Sequence, residues 1–222
     1  MGTDNIRHRR KVKKLALLAR DRAKIEPYDR VLIVCEGEKT EPLYFRDLIN
    51  YHRISSVNVE ITGDCGSDPS SILKHAKTRF KEERDCGNPF DKVFCVFDKD
   101  GHAKYAETIK NIENIKQKKV FTATNSVPSF EYWLLLHFEY NSKPYNALKG
   151  NSPGNQVLNE LLKHFPKYQK KDAKIYTALG EERLATAMKN AEKSLQEANR
   201  NGSDNPSTKV QDLVDYLRKI KD

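Results

Sequence analysis

The chain is predicted to fold as an α/β protein, with a mostly parallel central sheet flanked by helices and a helical C-terminal extension. The runs VLIVC (31–35) and VFCVF (93–97) are short, continuous and apolar, as strands buried on both faces are. Helical patterns of a dozen or more residues separate the strands, long enough to serve as crossovers between parallel neighbours.

Taken in order, RVLIVCEGEKTEP carries a strand that stops at Glu36-Gly37. Thr40 is expected to cap a helix through EPLYFRDLINYH, with Glu41 and Pro42 in its first turn, where an acid and a proline are both favoured. VNVEIT alternates as a half-buried strand and GDCGSDPSS has loop chemistry. Ser67 or Asp68 then precedes Pro69 and a helix through SILKHAKTRFKEE. FDKVFCVFDKD is the second strongly apolar strand, KYAETIKNIENIKQ an amphipathic helix and KVFTATNS a further strand. PSFEYWLLLHF is too apolar for an exposed helix and is expected in the core. From residue 141 a polar loop leads into helical patterns in QVLNELLKHF, ERLATAMKNAEKSLQEAN and TKVQDLVDYLRKI. The expected organisation is a basic tail or helix over 1–27, an α/β core over 28–140, and a helical extension over 141–222 packed on that core.

Composition narrows the class. With 37% hydrophobic and 32% charged residues the chain is polar yet able to fold, and it lacks the roughly 20-residue apolar stretch that crosses a bilayer. No secretory leader pattern opens it, so a cytoplasmic location without membrane attachment is expected. Cys35 and Cys95 sit inside apolar runs and are expected to pack as small hydrophobes; Cys65 and Cys86 fall in turn-like segments. The absence of a C-x-x-C pair or zinc-like Cys/His spacing argues against zinc and disulfides.

The formal charge of +9 is concentrated at one end. Residues 1–27 hold nine Lys and Arg against three acids, a net +6. Arg7, Arg9, Arg10, Lys11, Lys13 and Lys14 therefore form a candidate phosphate-binding arm, which would gain affinity by releasing counterions. A solvated tail explains the same charge.

The candidate chemistry lies where the two most apolar strands end, at Glu36-Gly37 and at Asp98-Lys99-Asp100. In open parallel sheets the ligand crevice lies beyond the carboxyl ends of the strands. Asp98 and Asp100, two apart on an extended chain, point the same way with Cα atoms roughly 7 Å apart. Two like charges about 4 Å apart repel by about 4 kcal/mol at an effective dielectric near 20. A divalent ion removes that penalty, and oxygen-only ligation suits Mg²⁺ or Mn²⁺ rather than zinc. Each acid alone is explained as a strand end or helix cap; the three together favour a metal site.

CEGEKTEPLYF, VFDKDGH, NSVPSFEYWLLLHF and the later NPST together resemble the RloB-like family of bacterial phage-defence proteins, over roughly residues 30–215. That resemblance implies kinship with the Toprim fold of topoisomerases, bacterial primases and overcoming-lysogenization-defect nucleases. In those proteins a strand-end Glu-Gly and a later D-x-D bind Mg²⁺ beside a phosphodiester. Glu36 matches the glutamate, and Asp98 and Asp100 match the aspartate pair. The E-G…T-E pattern, whose second glutamate helps to hold another metal, is approximated by Glu36, Gly37, Thr40 and Glu41, with one extra residue between glycine and threonine. The implied function is metal-dependent cleavage of RNA, tRNA included, or DNA in antiviral defence, with a separate ATPase subunit as a partner in some defence loci.

In such a site the carboxylates would hold the metal at the scissile phosphate, or Glu36 would instead take a proton from the attacking water. Glu131, near the start of an apolar helix, is a further candidate; its simpler role is favourable placement near a helix N-terminus. His102 follows the D-x-D closely enough to reach a phosphate or act as an acid, and Lys39 is a candidate phosphate contact. His137, within WLLLHF, reads as a satisfied core histidine, and Trp133, Leu134, Leu135 and Leu136 read as core. GEKT is not a P-loop, because Glu38 separates Gly37 from Lys39, and a G-x-G-x-x-G fingerprint is absent. Two other functions fit the same residues: a nucleic-acid-binding or adaptor subunit without catalysis, and a phosphohydrolase of small nucleotides.

Overall fold

The computed structural model describes residues 28–222 apart from 64, 65, 67, 100, 117 and 118. Among the described residues five strands form one sheet in the order β2-β1-β3-β4-β5, with β1 Val31–Cys35, β2 Val59–Thr62, β3 Lys92–Asp98, β4 Phe121–Val127 and β5 Ser207–Thr208. The first four are parallel, and only the two-residue β5 runs antiparallel, against the end of β4. The predicted α/β class with a mostly parallel sheet is the observed one.

Strand alternation explains the layering, since successive side chains on a strand point to opposite faces. Val31, Ile33 and Cys35 of β1, with Phe94 and Val96 of β3, enter one core. Packed on this face are α1 (Thr40–Tyr51), α4 (Phe130–Leu135), α5 (Pro153–His164), α6 (Ile175–Asn201) and α7 (Val210–Arg218). Leu32 and Val34, with Val93, Cys95 and Phe97, enter the other core, against α2 (Pro69–Asp85) and α3 (Tyr105–Glu113). Both faces of β1 and β3 are thus covered, which is why their sequences read as unbroken apolar runs rather than alternating ones. Edge strand β2 buries Val59 and leaves Glu60, Ile61 and Thr62 partly exposed, so the alternation expected of it does not show in its burial.

Two helices begin with the capping chemistry their sequences announce. Asp68 caps α2 by accepting from the Ser70 N–H at 2.8 Å, with Pro69 at the first helical position. Ser152 caps α5 in the same way, accepting from the Asn155 N–H, ahead of Pro153. Thr40 differs from expectation. It is the first residue inside α1, Lys39 holds the cap position, and the Thr40 hydroxyl donates to the Lys170 carbonyl at 3.4 Å. α6 is broken at Gly180, whose φ of 76° is open to glycine and costly for other residues.

Trp133, Leu134, Leu135 and Leu136 are fully buried, and His137 is 2% exposed. The His137 Nδ1 lies 3.0 Å from the Trp133 carbonyl, to which it donates. Among the described residues no helix is long and apolar enough to cross a membrane.

Candidate functional site

The strand order reverses between β1 and β3. The chain leaves β1 for β2 on one side, over the face that carries α1; it leaves β3 for β4 on the other side, over the face that carries α3. Connections that diverge in this way open a crevice at the strands' carboxyl ends. Glu36 directly follows β1 and Asp98 ends β3, so both stand at the mouth of that crevice.

Glu36 is fixed from two directions. Its backbone N–H extends the sheet ladder to the Val96 carbonyl at 3.0 Å. Its Oε2 accepts from the Asp98 N–H at 3.0 Å, and its Oε1 lies 3.1 Å from His102 Nε2. The Asp98 Oδ2 in turn accepts from the Phe130 N–H at 3.1 Å, at the start of α4. Glu131, one residue on, is 3% exposed. Its Oε2 accepts from the Ser129 hydroxyl at 2.8 Å; its Oε1 accepts from Tyr168 at 3.2 Å and pairs with Lys170 Nζ at 3.1 Å.

Glu36, Gly37, Glu38, Lys39, Thr40, Glu41, Asp98, Glu131 and Lys170 line one cleft of about 390 Å³. Gly37 allows α1 to approach this turn, for a Cβ there would meet Glu41 Oε2 at 3.3 Å. Behind it the chain at Gly63 packs so closely that an added Cβ would clash with the Gly37 carbonyl and stand 2.6 Å from Pro42 Cγ.

Crowding shows in the proton affinities. Burial raises the Glu41 pKa to about 7, against its own backbone hydrogen bond, and the Glu131 and Glu36 charges add to the rise. Asp98 is pushed well above the usual carboxylate range, by burial first and then by Glu41, Glu131 and Glu36; the Phe130 N–H only partly opposes this. Burial depresses Lys170, yet the Glu131 charge and hydrogen bond, with the Asp98 and Glu41 charges, together outweigh it and hold the ammonium above its ordinary value.

The structure thus gathers Glu36, Glu41, Asp98, Glu131 and Lys39 around one cleft, with His102 bonded to Glu36. Among the described residues, no group of three or more His, Cys, Asp or Glu stands ready to hold a metal ion. Each of Glu36, Asp98 and Glu131 is turned toward an internal donor rather than toward a common point. Asp100, and the arm residues Arg7, Arg9, Arg10, Lys11, Lys13 and Lys14, lie outside the described residues.

Sequence alone does not reveal Lys170, which lines the cleft, or Tyr168 and Ser129, which hydrogen-bond to its Glu131. Tyr168 and Lys170 belong to the segment between α5 and α6, far along the chain from every acid they serve, and no local pattern marks them. Ser129 could have been found, because a serine directly before an apolar helix is a favoured N-cap; here its hydroxyl serves the Glu131 side chain instead.

A model of the RloB-like protein family matches residues 31–217. The chain belongs to this family. The match spans every strand and nearly all of the helical structure described, so the cleft is built wholly from the family's shared region. Comparison with curated proteins and with solved structures gave no match.

Proposed function

We propose that this RloB-like protein is a Mg²⁺- or Mn²⁺-dependent hydrolase of phosphodiester bonds in nucleic acid, either RNA, tRNA included, or DNA, acting in the cytoplasm in defence against phage. The observation that carries the reading is the meeting of Glu36, Glu41, Asp98 and Glu131 in one cleft at the switch point of the sheet. The resemblance to Toprim proteins, in which a strand-end glutamate and a D-x-D hold Mg²⁺, supports it.

The donor chemistry fits a hard divalent cation. The acids offer oxygen ligands alone, and burial first, with their mutual repulsion added, holds Asp98 and Glu41 toward the protonated form unless positive charge arrives. Asp98, Glu36 and Glu41, with Asp100, are the residues that would hold the ion. A bound ion would supply Lewis acidity at the phosphate and stabilise charge on the leaving oxygen.

The side chains divide the remaining work. The Phe130 N–H occupies Asp98 Oδ2 and fixes that carboxylate's plane. Glu36, oriented by His102 and the Asp98 N–H, would either join the metal's ligands or instead accept the proton of an attacking water, the two roles being alternatives. Glu131 restrains Lys170 at the cleft wall, from which the ammonium can meet a substrate phosphate. The arm residues Arg7 to Lys14, with Lys39, would hold the backbone of the strand. A separate ATPase subunit is a candidate partner for controlling the reaction.

The test is cleavage of labelled RNA, tRNA and DNA by purified full-length protein in MgCl₂ or MnCl₂ and in EDTA. Cleavage should require the divalent ion and disappear in Asp98→Ala and Asp100→Ala. Cleavage that survives both substitutions would sink the site assignment. Metal-independent binding without turnover, lost on deleting residues 1–27, would identify an adaptor. Turnover of mononucleotides, indifferent to that deletion, would identify a nucleotide phosphohydrolase.

A further inference from the structure

The cleft presents a physical difficulty to the substrate proposed for it, since carboxylates that repel one another also repel a phosphodiester. Cations near the rim are needed to bring a polyanion in. Apart from Lys39, the cation that lines the cleft is Lys170, and it sits within a strongly basic stretch. Residues 163–174 (KHFPKYQKKDAK) hold five lysines against one acid, a net +4.

A run of lysines is ordinarily a solvated face, but this one is pinned to the cleft at three points. Lys170 Nζ pairs with Glu131 at 3.1 Å, the Lys170 carbonyl accepts from Thr40, and the buried Tyr168 donates to Glu131 at 3.2 Å. The rest of the charge is left outward. Lys163, Lys167, Lys171 and Lys174 are exposed. Within the segment only His164 and Lys170 form ion pairs among the described residues. The lone acid, Asp172, is occupied in accepting from the Lys174 N–H at 2.9 Å. Lys167, Lys171 and Lys174 lie within four residues of Lys170, so chain length alone keeps their Cα atoms within about 14 Å of its own. Such a group of charges raises local counterion density over about a Debye length, some 8 Å at physiological salt.

We propose that the lysine-rich segment 163–174 is a nucleic-acid-binding rim. Lys163, Lys167, Lys171 and Lys174 neutralise successive phosphates of a strand whose scissile bond is delivered past Lys170 into the cleft. This rests on the reading of the cleft as a phosphodiester site, yet it is tested by binding alone.

The measurement is fluorescence anisotropy in EDTA, using the full-length protein and a labelled single-stranded RNA of about 20 nucleotides, because electrostatic binding is independent of sequence. The variant replaces Lys163, Lys167, Lys171 and Lys174 with Ala. The control replaces Lys74, Lys77 and Lys81, exposed lysines of α2, and removes charge without touching the rim. Thermal melting should be the same in all three proteins, since every altered side chain is exposed. The rim variant should bind at least about 10-fold more weakly near 100 mM salt, and its slope of log affinity against log salt should flatten by about 0.7 for each phosphate that is no longer neutralised. The control should stay within about 2-fold of the parent. Equal losses in both variants, an unchanged slope in the rim variant, or no RNA binding by the parent protein would each overturn the proposal. Rim-dependent binding with no cleavage in any divalent ion would retain the rim and reject the nuclease; cleavage that ignores the rim substitutions would do the reverse.

Discussion

Glu36 and Asp98, 62 residues apart in sequence, are joined by a hydrogen bond of 3.0 Å from the Asp98 N–H to Glu36 Oε2. The bond crosses from the end of β1 to the end of β3, so the position of the Glu36 carboxylate depends on the backbone at Asp98. An amide oxygen can accept the same bond. Glu36→Gln should therefore preserve the fold and remove only the negative charge and the basic oxygen. Cleavage should fall by about 10²-fold or more, the usual contribution of a positioned proton acceptor, with an unchanged circular dichroism spectrum and melting temperature. A Gln variant that cleaves at the parental rate would take Glu36 out of the chemistry.

Charge crowding at Asp98 predicts a trade between stability and function. The site raises the Asp98 pKa, so its ionised form weakens the folded state near neutral pH. Asp98→Asn keeps an oxygen for the Phe130 N–H and deletes one of the repelling charges. It should stabilise the metal-free protein by about 1 kcal/mol, which for a chain of this size is about 2–4 °C in Tm. Added MgCl₂ should raise the Tm of the parent, because a ligand bound only by the folded state stabilises it, and should raise that of the Asn variant much less. If Asp98→Asn lowers Tm, the carboxylate is satisfied as it stands and the crowding argument fails.

The fold was legible because burial on both faces leaves a plain mark. VLIVC and VFCVF became β1 and β3, and acids placed directly after them had to fall at the same sheet edge. Adjacency of the two strands was not legible, since strand order is decided by helix packing rather than by either strand's composition. β5 is illegible because two residues, Ser207 and Thr208, carry no periodicity; their strand character rests on pairing with Ser126 and Val127 of β4. Residue type alone makes Thr40 a cap, but its hydroxyl finds a tertiary acceptor, the Lys170 carbonyl, that no local pattern announces. Lys170 and Tyr168 were illegible for the same reason, for they serve an acid on a different element through a connecting segment.

Gly63 supports the site without lining the cleft. A Cβ there would clash with the Gly37 carbonyl and the Pro42 ring, and both belong to the turn that carries Glu36 and starts α1. Gly63→Ala should cost about 1–3 kcal/mol, the usual cost of overpacking a close contact. It should also lower cleavage more than stability alone explains, because the displaced turn carries a proposed metal ligand. Urea unfolding and single-turnover cleavage on the same preparation separate the two effects. An Ala variant of parental stability would mean that the turn yields easily.

His137 predicts how the core responds to acid. The ring is buried against Trp133, at 4.8 Å between centroids, and its Nδ1 donates to the Trp133 carbonyl. Burial lowers its pKa from 6.5 to about 4; the backbone partners oppose the fall, and Arg183 adds to it. Below pH 6.5 the unfolded chain takes up a proton that the folded state refuses. The stability tied to a neutral His137 is thus complete above pH 6.5 and is lost as pH falls toward 4, to a total of about 3 kcal/mol. His137→Leu removes the titration. It should be less stable than the parent at pH 7, for want of the hydrogen bond, and the deficit should shrink or reverse by pH 4. The cleft carboxylates titrate in both proteins and cancel in the difference between their urea-unfolding free energies at the two pH values. If that difference stays constant from pH 7 to pH 4, His137 takes up its proton inside the fold, and the packing around Trp133 is looser than its burial indicates.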